Sequence, residues 1–265
     1  MPLDIPETTL TPAASGKLLH GTTGTVGRIL LNKPGRLNAL DEEILEGLES
    51  IFRSWEQSGT AAVAMLGSTS SRAFCVGADI ERLATFDTAS MRRWEALGNR
   101  VLDAIEYSSV VSVAAISGHA LGGGLTLALA CDFRISSEDS QFAQPEIGLG
   151  WIPGWGGVRR LQQLTGPAAA KRLCLLGERI SATAARDLGI VDELAPAGQV
   201  DQAAAAFADR FAAQSPPAMR AIKALASGRG VPAEFDGLAN ASLLEDPRGQ
   251  AAIARFLSSK NKDRE

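Results

Sequence analysis

Apolar and polar positions along this chain alternate between strand and helix periods. Thr25 to Asn32 alternates toward an apolar strand, which Lys33-Pro34-Gly35 breaks. From Asp41 to Trp55 the apolar residues Ile44, Leu45, Leu48, Ile51, Phe52 and Trp55 share one helical face, with Asp41 placed as N-cap. Ala61 to Leu66 reads as a short buried strand, and Gly67 to Arg72 as a polar loop. Met91 to Ile105 reads as helix, Val110 to Ile116 as strand, Gly124 to Ala130 as helix and Phe133-Arg134-Ile135 as a strand fragment. Strands separated by helices predict right-handed crossover units of an α/β domain. From Gly157 onward helix prevails, with Ala168 to Leu176, Ala182 to Asp187 and Val200 to Gln214. Pro216-Pro217 marks a turn before a further helix, Ala218 to Ala226. No internal repeat suggests a solenoid.

Composition narrows the function classes. A chain of 265 residues, 45% hydrophobic and 21% charged, fits one large globular domain or a domain with an appendage. No apolar run is long enough to span a membrane, and Met1 to Lys17 carries acids and prolines where a secretory signal is basic and then apolar. That segment reads as a poorly ordered lead-in. Cys75, Cys131 and Cys174 are odd in number and lie among apolar or small residues, which fits reduced thiols in a cytoplasmic protein. With His20 and His119 as its two histidines, the chain is expected to carry no metal site. A net charge of −4 argues against general nucleic-acid binding. The pairs Arg92-Arg93 and Arg159-Arg160 read as solvated helix faces that remain usable for a phosphorylated handle.

The candidate chemistry lies in Ile116-Ser117-Gly118-His119-Ala120-Leu121-Gly122-Gly123-Gly124-Leu125-Thr126, where an apolar run enters three consecutive glycines and leaves as a second apolar run. Glycines at such a junction let backbone approach a ligand and leave N–H groups uncovered at a helix start, where they stabilise developing negative charge. Taken alone, the same loop serves equally well as a glycine-lined helix contact. Two further segments change that weighting. They are Arg72-Ala73-Phe74-Cys75-Val76-Gly77-Ala78-Asp79-Ile80 and Phe142-Ala143-Gln144-Pro145-Glu146-Ile147-Gly148-Leu149-Gly150-Trp151-Ile152-Pro153-Gly154-Trp155-Gly156-Gly157. With Leu31-Asn32-Lys33-Pro34-Gly35-Arg36-Leu37-Asn38-Ala39-Leu40, they resemble the enoyl-CoA hydratase/isomerase (crotonase) family, in the expected order over about residues 25 to 260.

The resemblance implies an α/β fold, a crotonase-like spiral of ββα units over residues 20–195. A helical C-terminal region over 196–265 follows, and residues 1–19 form the lead-in. It also implies an acyl-CoA thioester as substrate, no separate cofactor because CoA is part of that substrate, and a homotrimer or hexamer. The oxyanion donors it implies are the N–H groups of Ala78 and Gly123, flanked by Gly77 and Gly122. Glu146 becomes the acid/base, and its apolar neighbours are expected to raise its pKa. Arg36, Leu37 and Ala39 match the segment used around the adenine and its phosphates. Asp79 and Ile80 border the oxyanion turn, and an Asp there more often bonds nearby backbone N–H groups than reacts.

One position departs from the family pattern. Hydratases of the family carry two glutamates, and Thr126 stands where the first is expected. A threonine hydroxyl bonds water but is no carboxylate base. That places Thr126 at the substrate without giving it the hydratase role. Family isomerases typically keep only the later glutamate. Trp151 and Trp155 bracket Pro153-Gly154 beside Glu146, so at least one is expected to wall the acyl pocket and favour a compact or flat acyl group. Three readings follow. The first is an enoyl-CoA isomerase or one-glutamate hydratase. The second is a decarboxylase or C–C bond hydrolase using the same enolate, and the third a non-catalytic acyl-CoA- or RNA-binding member.

Overall fold

The computed structural model describes residues 9–212, 214–226 and 235–262. In chain order the elements are β1 (Thr11–Ala13), β2 (Leu18–Thr23), β3 (Val26–Leu31), α1 (Glu42–Ser58), β4 (Val63–Ser68), β5 (Ala73–Cys75), α2 (Ile80–Leu83), α3 (Thr88–Glu106), β6 (Val111–Ile116) and β7 (His119–Leu121). They continue with α4 (Gly123–Ala130), β8 (Phe133–Ser137), β9 (Gln141–Ala143), α5 (Gly157–Leu176), β10 (Ile180–Ser181), α6 (Ala182–Asp187), β11 (Glu193–Ala195), α7 (Val200–Ala212), α8 (Pro216–Ala226), α9 (Phe235–Leu243) and α10 (Pro247–Lys262).

Successive turns of the chain feed two sheets. One has the order β1-β2-β3-β4-β6-β8-β11, antiparallel from β1 to β3 and parallel beyond. The other has the order β10-β9-β7-β5. The pairs β4/β5, β6/β7 and β8/β9 each give one strand to each sheet before a helix returns the chain, which is the ββα spiral. The short strand β7 falls in the glycine stretch read from the sequence as loop, and β5 and β9 fall where the sequence reading assigns no element.

Helix α1 forms where its apolar stripe predicts. Asp41 Oδ1 accepts from Ile44 N at 3.1 Å as N-cap, and Gly59 ends the helix in the left-handed region. Its buried face, Ile44 to Trp55, packs with α3 under the larger sheet. The apolar runs of β4 and β6 follow from burial on both faces. Ala64, Leu66, Ala114 and Ile116 enter the main core, while Val63, Met65, Val111 and Val113 enter a second core against Ala204, Phe207 and Ala208 of α7.

Among the described residues regular structure begins at Thr11, because β1 and β2 pair antiparallel onto β3, so residues 11–19 are not a loose lead-in. Helix α7 covers a face of the larger sheet, so the helical region after residue 195 starts inside the core. Pro216 and Pro217 open α8 instead of preceding it, since a first helical turn needs no N–H from them. Lys223 anchors α8 by donating to Ile105 O, Val110 O and Asp132 Oδ2 at 3.3, 2.8 and 2.6 Å. Among the described residues no helix is long and apolar enough to cross a membrane.

Candidate active site

The site begins with backbone geometry. Leu40 N donates to Gly77 O at 2.8 Å, and Asp79 N donates to Leu40 O at 3.0 Å. This parallel bridge uses the groups on either side of Ala78, which turns Ala78's own N–H to the opposite side. Gly77 has φ +97°, and a Cβ there would sit 3.0 Å from Gly123 N, so the two loops touch through a residue that must be glycine. At the start of α4, Gly122 N donates to Ala143 O and the first helical bond is Thr126 N to Gly122 O, both 2.9 Å. The N–H groups of residues 123–125 therefore have no acceptor within the helix. Ala78 and Gly123 thus lie on adjacent loops.

The three glycines meet three different neighbours. A Cβ on Gly122 would lie 2.8 Å from Glu146 Oε1, one on Gly123 would lie 2.8 Å from the Trp155 ring, and Gly124 packs on the Cys75 carbonyl. The carboxylate and the indole thus rest directly on the oxyanion loop. Glu146 sits in a 3-10 turn, Pro145–Leu149, that Gly150 closes. Burial pushes the Glu146 carboxyl above its ordinary value of 4.5.

Gln144, fully buried, links Glu146 to Thr126. Hydrogen-bond complementarity turns its amide nitrogen toward both Glu146 oxygens and Gly122 O, each at 3.2 Å, and its oxygen toward Thr126 Oγ1 at 3.2 Å. Thr126 itself is fully buried, its Oγ1 3.3 Å from Gly122 O, and the start of α5 packs on it at Gly157. It does not line the cavity. Its short side chain stays inside the Gly122–Gln144 hydrogen-bond group, set back from the residues expected to contact substrate.

A cavity of about 590 Å³ adjoins these groups. Of the residues singled out in the sequence, Gly77, Ala78, Ile80, Gly122, Gly123, Glu146, Trp151 and Trp155 line it. Arg36, Leu37, Ala39 and Asp79 do not. Arg36 pairs with Glu81 at 2.8 Å on the surface, and Asp79 pairs with Lys33 at 3.2 Å. Leu37 O accepts from Val76 N at 3.2 Å and Ala39 is buried, so this segment braces the oxyanion turn from outside. Asn38 completes the brace by donating to Ser68 Oγ at 2.7 Å and Phe74 O at 2.9 Å.

Sequence reasoning missed the wall that α3 contributes. Met91, Trp94 and Glu95 line the cavity, and their i, i+3, i+4 spacing is the signal that places a carboxylate on an apolar face. Trp155 reaches this helix. It adopts φ +54°, rare for a bulky residue, and its N donates to Glu95 Oε2 at 3.1 Å. Its carbonyl accepts from the buried Arg160, which pairs with Asp103 at 2.8 Å and Glu106 at 2.7 Å. The Trp155 ring meets Trp94 edge-on at 5.0 Å between centroids.

Together these parts bring the Ala78 and Gly123 loops and one desolvated carboxylate, Glu146, to a single mostly apolar cavity. Comparisons with known proteins give the family. A sequence model described as Enoyl-CoA hydratase/isomerase matches residues 21–238. The short-chain-enoyl-CoA hydratase of Clostridium acetobutylicum is 32% identical over 213 residues, covering 80% of this chain and 81% of that one. A probable enoyl-CoA hydratase 2, mitochondrial, of Arabidopsis thaliana is 36% identical over 205 residues, covering 77% of this chain and 68% of that one. The crystal structure of enoyl-CoA hydratase from Bacillus anthracis superposes with a TM-score of 0.87 at 30% identity, covering 92% of this chain and 96% of that one.

Proposed function

The chain belongs to the enoyl-CoA hydratase/isomerase family, and from that premise we propose that it moves protons on an enoyl-CoA thioester with Glu146 as single acid/base. The observation that carries this reading is the Glu146 carboxylate resting on Gly122, next to the Ala78 and Gly123 donors, while Thr126 is buried behind Gln144. In a 3-enoyl thioester, Glu146 takes a proton from the carbon next to the carbonyl. The electron pair moves onto the thioester oxygen, where two backbone N–H donors are each worth about 3 kcal/mol. Return of the proton at the fourth carbon shifts the double bond into conjugation and regenerates the carboxylate.

Hydration asks for a second group to hold and activate water. Loss of one general acid/base contributes a factor of about 100 to 10,000, so hydration by this site is slow beside isomerisation. The cavity's other carboxylate, Glu95, accepts from Trp155 N on the α3 side, away from Gly122. The exposed apolar side chains of Ile147, Leu175 and Leu176 support homo-oligomeric assembly as part of the same reading.

The test pairs deuterium incorporation into a 3-enoyl-CoA with hydration of crotonyl-CoA, for the native chain and Glu146→Gln. Exchange in the native chain that is lost in Glu146→Gln supports the reading. Crotonyl-CoA hydration as fast as that of two-glutamate enzymes overturns the single-base assignment. Failure of any CoA thioester to raise the melting temperature overturns the substrate class.

A further inference from the structure

Among the residues that line the 590 Å³ cavity, Glu146 and Glu95 are the ionisable ones. Glu146 is accounted for by proton transfer. Glu95 is not, and its placement is specific. Oε2 accepts from Trp155 N at 3.1 Å, an N–H that points to α3 because Trp155 adopts φ +54°. Oε1 lies over the Cα of Gly154, where an added Cβ would sit 2.5 Å from it, and accepts no hydrogen bond among the described residues. The cavity it shares is walled mostly by apolar side chains, among them Leu83, Met91, Trp94 and Ile152. One edge of the Trp155 indole rests on Gly123 and the opposite edge on Gly98 of α3. Glu95 thus meets the main chain of Trp155, while the six-membered edge of the Trp155 ring meets Gly123, which sets Trp155 between the carboxylate and the Gly123 loop.

We propose that Glu95 is a specificity-determining residue, selecting acyl-CoA thioesters whose acyl group carries a hydroxyl at a carbon beyond those that react. This rests on the cavity being the acyl pocket. A plain alkyl chain laid against Oε1 removes its water and returns no hydrogen bond, whereas a hydroxyl replaces that water directly. A hydroxyl also suits the site better than an ammonium. One free oxygen meets one O–H donor, while an ammonium would leave two of its three N–H groups facing Leu83, Met91 and Trp94. A ketone at the same carbon sets acceptor against acceptor.

The test is calorimetric affinity for saturated six-carbon CoA thioesters, which bind without turnover. The series is hexanoyl-CoA, its 4-, 5- and 6-hydroxy derivatives, 5-oxohexanoyl-CoA and 5-aminohexanoyl-CoA. The native chain is expected to bind the best hydroxy isomer about 10- to 100-fold more tightly than hexanoyl-CoA, the cost of leaving a buried polar group unpaired. Glu95→Gln keeps an oxygen for Trp155 N and turns an NH2 group to the cavity, so it should raise affinity for the 5-oxo ester. Glu95→Leu should favour hexanoyl-CoA. Equal affinities across the series in the native chain, an unchanged ranking in both variants, or tightest binding of the amino ester would each overturn the proposal. So would loss of deuterium exchange in Glu95→Gln with affinities unchanged, which would make Glu95 a base. An intact ranking with no exchange by the native chain would instead remove the proton-transfer reading and leave this one standing.

Discussion

Substituting Gly122 by alanine tests the placement of the base with a single methyl group. Gly122 has φ +53° and ψ −127°, a region closed to L side chains, and such residues cost about 1–3 kcal/mol when forced there. The new Cβ would sit 2.8 Å from Glu146 Oε1, whereas an ordinary carbon–oxygen contact is roughly 3.3–3.6 Å. The carboxylate must retreat by roughly half an ångström or more, and the Gln144 amide that grips both its oxygens limits where it goes. Misplacement by about 1 Å costs roughly 100-fold, so proton exchange should fall by about 10- to 100-fold. The melting temperature should fall by roughly 2–12 °C, since 1 kcal/mol moves a domain of this size by about 2–4 °C. Gly122 N keeps its bond to Ala143 O in the variant, so the loop retains its anchor. Gly148→Ala is the control: it lies two residues from Glu146, and an added Cβ meets nothing within 4 Å. It should change stability by less than about 0.5 kcal/mol and leave exchange intact. A folded Gly122→Ala chain that exchanges protons at the native rate would refute the argument, because the carboxylate could not then be the base at the position described.

Glu146→Gln should change stability in a pH-dependent way. Burial raises the folded pKa of Glu146 above the ordinary 4.5, so its stabilising contribution is complete below 4.5 and is lost as pH rises through the folded value. Melting curves of the two chains should therefore converge in acid and separate above that window, with Glu146→Gln the more stable; a constant gap would contradict the burial argument. In the native chain the acid limb of exchange should lie above pH 4.5 for the same reason, as a pH–rate profile would reveal. Thr126→Glu should lower stability and add no hydration activity, because the side chain would enter the fully buried space between Gln144 and Gly157; a gain in crotonyl-CoA hydration would mean that position 126 faces the cavity after all. Trp155→Ala should cost about 3–5 kcal/mol, read by denaturant titration, and shift kcat/KM toward longer acyl chains, because the ring that rests on Gly123 is removed. Unchanged chain-length preference would show that the indole does not bound the acyl group.

What the sequence reveals about this site depends on where the information is stored. The proposed oxyanion donors, Ala78 and Gly123, are legible through the family resemblance, whose motifs keep glycine at Gly77 and Gly122, where the contacts leave no room for a side chain. The proposed base, Glu146, is legible through the same resemblance, in the segment whose proline and glycines form its turn. The α1 stripe is legible because one face is buried and the other solvated. The strands β5, β7 and β9 are not, since three residues give too short a run for a period of two to register.

Gln144 and Glu95 are illegible for a different reason. Gln144 meets Thr126 across 18 residues, and a glutamine in a polar segment carries no mark of the carboxylate it will hold. Glu95 lies on a helix whose Arg92, Arg93 and Arg100 face solvent, so local pattern assigns it to the surface. What draws it to the cavity is the Trp155 N–H, aimed at α3 by a backbone conformation that side-chain preferences argue against for tryptophan. Buried Arg160 binds the Trp155 carbonyl and Glu95 its N–H, so two ionic side chains hold that turn from opposite ends. Arg36 shows the converse: its segment matches a phosphate grip, yet its guanidinium meets Glu81 on the surface. Residues that act through backbone shape are written in local sequence, while those that tune what the cavity accepts are written in contacts between distant segments.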